Sequence, residues 1–285
     1  MDLKYIKWFI KNWILPPAIY SSLKGPDNHT ESSFVDKSVD NITRLGEIVK
    51  DRHVGERCFI LGGGSSVKQQ DLKILTGENV ISVSNTFVHK DYYLFKPKYH
   101  ILPHILFGHS GHYSEVKFVE WLKEMDEKIF DAEMFMHWGD KKFVENNQLF
   151  KNRKIHWVEY CPWNGDFNTP IDPGRIPHIW SVSELAITLA MYMGFNKIYL
   201  LGFDHDWFVG PLVYFYDVQK EHKIQPVKEN LSFADSEFQM RRHADIFKKY
   251  KYLYSMKKNI FNANANQDSY VDVFPKVKFE SLFDK

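Results

Sequence analysis

The run Cys58-Phe-Ile-Leu-Gly-Gly-Gly-Ser-Ser-Val-Lys68 carries a short apolar stretch into three glycines and two serines. It predicts a buried strand over residues 58–61, a turn, and a helix start near residues 67–75. Glycine lets a ligand approach the main chain closely. A helix start adds unpaired N–H groups and a positive dipole end, and the two features together suit a phosphate. No Gly-Lys-Ser/Thr closes the run, so it is not a P-loop. The glycines are consecutive, without the third glycine of a dinucleotide fingerprint. A tight strand-to-helix turn is the plain alternative reading.

Other residues add chemistry. Ser181-Val-Ser-Glu184 has the spacing of a capping box, with Ser181 as N-cap and Glu184 at the third helical position. Its N–H groups and the Ser183 hydroxyl can hold a second anion if this helix aims at the same rim. Asp204 and Asp206 follow an apolar run directly, and carboxylates so spaced can grip Mg²⁺ or Mn²⁺ on a nucleotide diphosphate. A lone Asp here equally caps a turn. His104, His109 and His112 cluster without a fourth ligand and read as solvated loop histidines. His222 and His243 flank a polar stretch that can form a lid, and histidine suits a general base at neutral pH. Tyr214 and Tyr216 can donate to a leaving phosphate or serve as core aromatics.

Alternating apolar segments place these groups. Helices are expected over residues 39–51, 113–128, 181–193 and 235–257. Strands are expected over 80–84, 99–102, 133–137, 155–158, 197–201 and 259–263. Strands alternating with helices indicate an α/β fold, a Rossmann-like, doubly wound and mostly parallel sheet. Ligands on such sheets bind beyond the carboxyl ends of the strands. That rule puts Gly62, Gly63, Gly64, Ser66, Asn85, His104 and Asp204 on one rim. The expected organisation is an amphipathic N-terminal helix over 1–20, a linker and leading helix over 21–55, and an α/β domain over 56–285. Residues 162–177 form a Pro- and Gly-rich loop, and a lid covers about 207–240.

The formal net charge of +1 argues against a broad nucleic-acid surface, and a 44% hydrophobic content supports a substantial core. Two cysteines, Cys58 and Cys161, make neither a disulfide framework nor a zinc site, which fits a reducing cytoplasmic setting. No run approaches the ~20 apolar residues of a membrane span, and residues 1–20 lack the features of a signal peptide. There, Lys4, Lys7 and Lys11 share one helical face, and Leu3, Ile6, Ile10, Trp13 and Ile14 share another. Such a helix can lie peripherally on an inner-membrane surface, or pack on its own domain or a second subunit. A homo-oligomer stays open.

In order and spacing, Ile60-Leu-Gly-Gly-Gly-Ser-Ser-Val-Lys68, Asn85-Thr-Phe87, Trp180-Ser-Val-Ser-Glu184, Gly194-Phe-Asn-Lys-Ile-Tyr-Leu-Leu-Gly-Phe-Asp204 and Tyr214-Phe-Tyr-Asp217 resemble the bacterial sialyltransferases of glycosyltransferase family 42. The blocks also look like the MptE-like and motility-accessory-factor-like group. The resemblance runs from about residue 56 to 283. It implies a GT-A variant domain with a lid, a CMP-activated acidic sugar donor, and no metal or other cofactor. It implies CMP against Gly62, Gly63, Gly64 and Ser66, Asn85 near the cytidine half, and Ser181 and Ser183 near the phosphate. Tyr214 would match a lid tyrosine that assists phosphate departure. The family's basic histidine falls on Met240, with His243 three residues on. The family has Asn at Gly63, Pro at Ser65 and Tyr at Asp206.

The leading expectation is a membrane-associated glycosyltransferase of surface polysaccharide or lipooligosaccharide biosynthesis. It moves a sialic-acid-like or Kdo-like sugar from CMP to a glycan or glycolipid acceptor. His243 is the expected base, His222 the reserve, and Asp204 part of the donor site. Two alternatives accompany it. One is an ATP- and Mg²⁺-dependent diphosphokinase, or a metal-dependent UDP- or GDP-sugar transferase, with Asp204 and Asp206 on the metal. The other is a non-catalytic nucleotide-sugar-binding scaffold.

Overall fold

The computed structural model describes residues 42, 46–106, 115–161, 172–206, 213–217, 233–265, 269 and 271–284. The expected N-terminal helix, His109, His112 and His222 lie outside them. So do most of the 162–177 loop and much of the expected lid.

Seven strands form one sheet: β1 (Arg57–Leu61), β2 (Val80–Val83), β3 (Tyr99–Ile101), β4 (Glu133–His137), β5 (Ile155–Val158), β8 (Lys197–Leu201) and β9 (Ile260–Asn262). Their order is β5-β4-β3-β2-β1-β8-β9. Every adjacent pair runs parallel. A separate pair, β6 (Tyr160–Cys161) and β7 (Ile176–Pro177), lies beyond β5 in the chain. The strands are short apolar runs because the sheet is covered on both faces.

One face carries α4 (Val182–Tyr192) and α5 (Phe233–Met256), which pack with Ile60, Ile81, Ile198 and Leu200. Residues 183–190 of α4 are all buried, as befits a helix enclosed between the sheet and α5. The other face carries α1 (Tyr92–Phe95) and α2 (Glu115–Lys128), whose Phe118, Leu122 and Met125 meet Leu61, Met134 and Met136. The remaining helix, α3 (Lys141–Asn146), follows β4. The chain winds outward from β1 to β5, then returns to lay β8 on the other side of β1. The order therefore reverses between β1 and β8, and the crevice beyond their carboxyl ends is the place where such sheets bind ligands.

The structure corrects three expectations. The helix expected over 67–75 is two 3₁₀ turns, Ser65–Gln69 and Leu72–Leu75. Gln70 is pinned by its own side chain to the Ala263 carbonyl at 2.7 Å, and Asp71 caps the next turn through the Lys73 N–H, so the helix cannot propagate. Residues 47–51, expected as helix, are turns, with Val49 in the core; the turns run on to His53, which stacks on Phe195 at 4.2 Å. The far end of the expected lid, from Phe233 onward, is the start of α5. Among the described residues no helix is long and apolar enough to cross a membrane. Both cysteines are free, and burial pushes the Cys58 thiol well above its ordinary range.

Candidate functional site

The glycine run is built against the end of β8. Gly62 N–H donates to Leu201 O (2.8 Å), Gly64 N–H to Gly202 O (2.7 Å), and Ser66 N–H to Asp204 Oδ2 (3.0 Å). A methyl group on Gly62 would lie 2.6 Å from Gly202 O, and one on Gly202 2.5 Å from Val67. Close approach of two chain segments thus accounts for Gly62 and Gly64, whose N–H groups are spent inside the protein, while Gly202 combines close approach with a φ of +68°. Gly63 takes a different position: its carbonyl accepts from Phe215 N–H (3.0 Å), and Tyr214 pairs with Gly64 as an antiparallel bridge. Tyr214 and Tyr216 stack at 4.9 Å, with Tyr214 over Gly63.

Asp204 latches the glycine loop. Burial raises its carboxyl above the usual range, against the lowering effect of the Ser66 hydroxyl and N–H. The next residue, His205, has φ of +50°, a left-handed conformation costly for a residue with a Cβ. It is held there by a 2.7 Å bond from its Nε2 to the Tyr250 hydroxyl. Asn264 brackets the preceding residue, accepting from Phe203 N–H and donating to Phe203 O. The Ser269 hydroxyl donates to Asp204 O.

The start of α4 faces the same rim. The capping box is complete: Ser181 Oγ accepts from Ser183 N–H, and Glu184 Oε2 accepts from Ser181 N–H at 2.6 Å. Glu184 is also ion-paired to Lys249 Nζ at 2.6 Å, and both side chains are almost fully buried (1% and 3% exposed). Burial raises the Glu184 carboxyl, and Lys249 opposes that rise. Lys249 also donates to His178 O, and Arg242 Nε donates to Trp180 O at 3.0 Å. Helix α5 therefore clamps the segment that leads into α4.

A further α5 residue, His243, lies beside His205, with its Nε2 buried. His243 Nδ1 bonds the Gln239 carbonyl at 2.7 Å, which fixes Nδ1–H and leaves the ring's lone pair on Nε2. Burial, with Arg242 adding to it, keeps this imidazole below the usual histidine range. Its ring lies 6.0 Å from that of His205, which burial drives to about 3. The Tyr214 phenol is pushed up to about 12 by burial and pulled back by the charge of Arg242. Tyr214 is thus a protonated donor beside a guanidinium.

Gly62, Gly63, Gly64, Ser66, Ser181, Ser183, Asp204, Tyr214 and His243 gather around the β1/β8 crevice. Asn85 stands apart, one strand over in the 3₁₀ turn after β2, with its amide oxygen accepting from Trp121 Nε1 at 2.6 Å. Its NH₂ group is what it can still offer a ligand. Asp206 is half-buried beside the latch. Among the described residues no group of three or more His, Cys, Asp or Glu side chains is arranged to hold a metal ion. On the β2 side of the Tyr214–Asp217 segment lies a groove of about 720 Å³, bordered by Lys68, Asp71, His89, Lys90 and Tyr216.

Sequence reasoning missed Arg242, Lys249 and Tyr250. The signal was there: Ile246, Tyr250 and Leu253 mark the apolar face of α5, and Lys249 interrupts it. A charged residue on such a face needs a buried partner. His104 was expected to be solvated. Its ring instead stacks on His137 at 3.9 Å and pairs with buried Asp140 at 3.3 Å, while His137 pairs with Glu159 at 2.9 Å. No family model matches the chain, and no curated protein matches it.

Proposed function

We propose that this protein is a CMP-sugar-dependent glycosyltransferase, of sialyltransferase-like GT-A variant architecture, acting on an acidic 2-keto sugar of the sialic acid or Kdo type. The observation that carries the reading is the convergence of protonated Tyr214, Arg242, a capped helix start and a neutral histidine, His243, at the switch point of a parallel sheet. These are the parts that transfer from a sugar phosphate needs: donors for a departing phosphate and a base for the incoming hydroxyl.

In the reaction the acceptor oxygen bonds to the anomeric carbon as the bond from that carbon to the CMP phosphate breaks. The acceptor proton passes to His243 Nε2, the nitrogen its Gln239 bond leaves basic. Charge developing on the phosphate is met by the Tyr214 hydroxyl and the Arg242 guanidinium, both held in low-dielectric surroundings that strengthen such contacts. The acceptor is a glycan or glycolipid, and the basic, tryptophan-containing segment 1–20 would bring the enzyme to the inner-membrane surface where such acceptors are built.

Thermal stabilisation by CMP, UDP, GDP and ATP, each with and without Mg²⁺, tests the reading. A ligand at ~100 times its Kd stabilises by roughly 2.7 kcal/mol. A shift with CMP in EDTA supports it. A shift confined to ATP or a nucleoside diphosphate with Mg²⁺ replaces it with the diphosphokinase or metal-dependent transferase. With a turned-over donor, His243→Ala should lower kcat by about 10²–10⁴ while leaving CMP affinity unchanged.

A further inference from the structure

One hydroxyl ties together three elements of the rim. Tyr250, fully buried on α5, bonds His205 after β8 and Ser183 in the first turn of α4, at 2.7 and 2.5 Å. The geometry makes Tyr250 the donor to Ser183. A phenol has one proton, so its oxygen must accept from His205 Nε2–H. Ser183 is 0% exposed, and the acceptor within reach of its own proton is Ser181 Oγ at 2.7 Å. Ser181 Oγ also accepts from Ser183 N–H. The Ser181 hydroxyl proton then has no acceptor among the described residues, although the residue is only 9% exposed. The bonds all run one way, from His205 through Tyr250 and Ser183 to the Ser181 hydroxyl.

We infer that Tyr250 is a positioning residue, which sets the direction of this buried hydroxyl chain so that Ser181 presents a hydrogen-bond donor to an anionic group of the substrate. The identity of that anion, the phosphate or carboxylate of a CMP-sugar, rests on the proposed function; the direction of the chain does not. Burial raises the Tyr250 phenol, so it stays protonated across the working pH range. Without it, Ser183 and Ser181 can turn their protons inward, and an anion then meets a lone pair.

Titration calorimetry of the full chain with CMP, cytidine and inorganic pyrophosphate tests this in the wild type, Ser181→Ala, Tyr250→Phe and their double variant. Tyr250→Phe should weaken CMP about five- to tenfold, the worth of one hydrogen bond, and leave cytidine unchanged. The double variant should bind as Ser181→Ala alone, because both changes remove the same donor. Ser183→Ala cuts the chain at another link and should behave alike, should Tyr250→Phe fold poorly. Nitrogen NMR should find His205 as the Nε2–H tautomer. Unchanged CMP binding in Tyr250→Phe, losses that multiply, or an Nδ1–H tautomer at His205 would overturn the inference. Coupling seen with pyrophosphate but no CMP binding would sustain the positioning role and sink the CMP-sugar reading. CMP binding without coupling would do the reverse, and a wild type that binds none of the three overturns both.

Discussion

Gly64→Ala separates two reasons for a glycine. Gly64 has φ −63° and ψ 155°, a conformation alanine adopts without strain. Space is what it lacks: an added Cβ would stand 2.7 Å from Gly202 O and run into the Asp204 carboxylate, where ordinary contact begins at 3.4 Å. The carbonyl is backbone and cannot rotate away. Overpacking of this kind costs about 1–3 kcal/mol. Displacing Asp204 also weakens its charge-assisted bond to Ser66 N–H, worth about 1.5–3 kcal/mol. The lower chain entropy of the unfolded alanine variant returns about 0.4–1 kcal/mol. The net expectation is a loss of about 2–5 kcal/mol, read from urea unfolding followed by tryptophan fluorescence. Gly77→Ala is the control: φ is +88° and nothing lies within 4 Å of the added methyl, so only the left-handed strain of about 1–2 kcal/mol remains. A Gly64→Ala protein as stable as the wild type but deficient in nucleotide binding would refute the packing argument. The glycine would then serve a ligand and not the β1–β8 junction.

Three more outcomes follow from the same geometry. Lys249→Met leaves the Glu184 carboxylate buried without its cation and should cost about 3–5 kcal/mol in chemical unfolding; a change below 1 kcal/mol would show that the pair is not intact in solution. Asp140 is pushed up to about 6 by burial, despite bonds from the Ile105 and Leu106 N–H groups, so carboxyl NMR should find it titrating there and not near 4. Because the folded state keeps this proton between about pH 4 and 6 after the unfolded chain has lost it, stability should fall as pH rises through that window, by about 3 kcal/mol. Asp140→Asn should flatten the slope, and an unchanged slope would assign it to other groups. Arg242→Met removes the cation beside Tyr214, so the Tyr214 phenol should titrate higher by ultraviolet absorbance; an unmoved titration would separate the two groups.

The repeating elements were legible in the chain. β4, β5 and β8 have the bounds expected from apolar runs of five or four residues, and α4 starts at the capping box the sequence displays. These features are local: side-chain periodicity and a cap formed within four residues of the helix it starts. The two 3₁₀ turns after the glycine run were not legible, because what stops a helix there is the Gln70 bond to Ala263, 193 residues away in sequence. His104 could not be recognised as part of a stacked pair, since His137 reaches it only by the β3–β4 pairing.

The sequence by itself determined an α/β chain with a parallel sheet, a glycine-rich turn after its first strand, and a set of polar residues bound for one rim. Those depend on composition and near-neighbour spacing. Only the tertiary structure decided what the glycines touch, which nitrogen of His243 is left basic, and that Lys249, Tyr250 and Arg242 bond the segment around the start of α4. Each of those outcomes depends on a partner fixed by folding, by the packing of α5 over the start of α4 and of the β8 end against the glycine loop. Hydrogen-bond direction and burial are properties of the assembled rim, and no single segment encodes them.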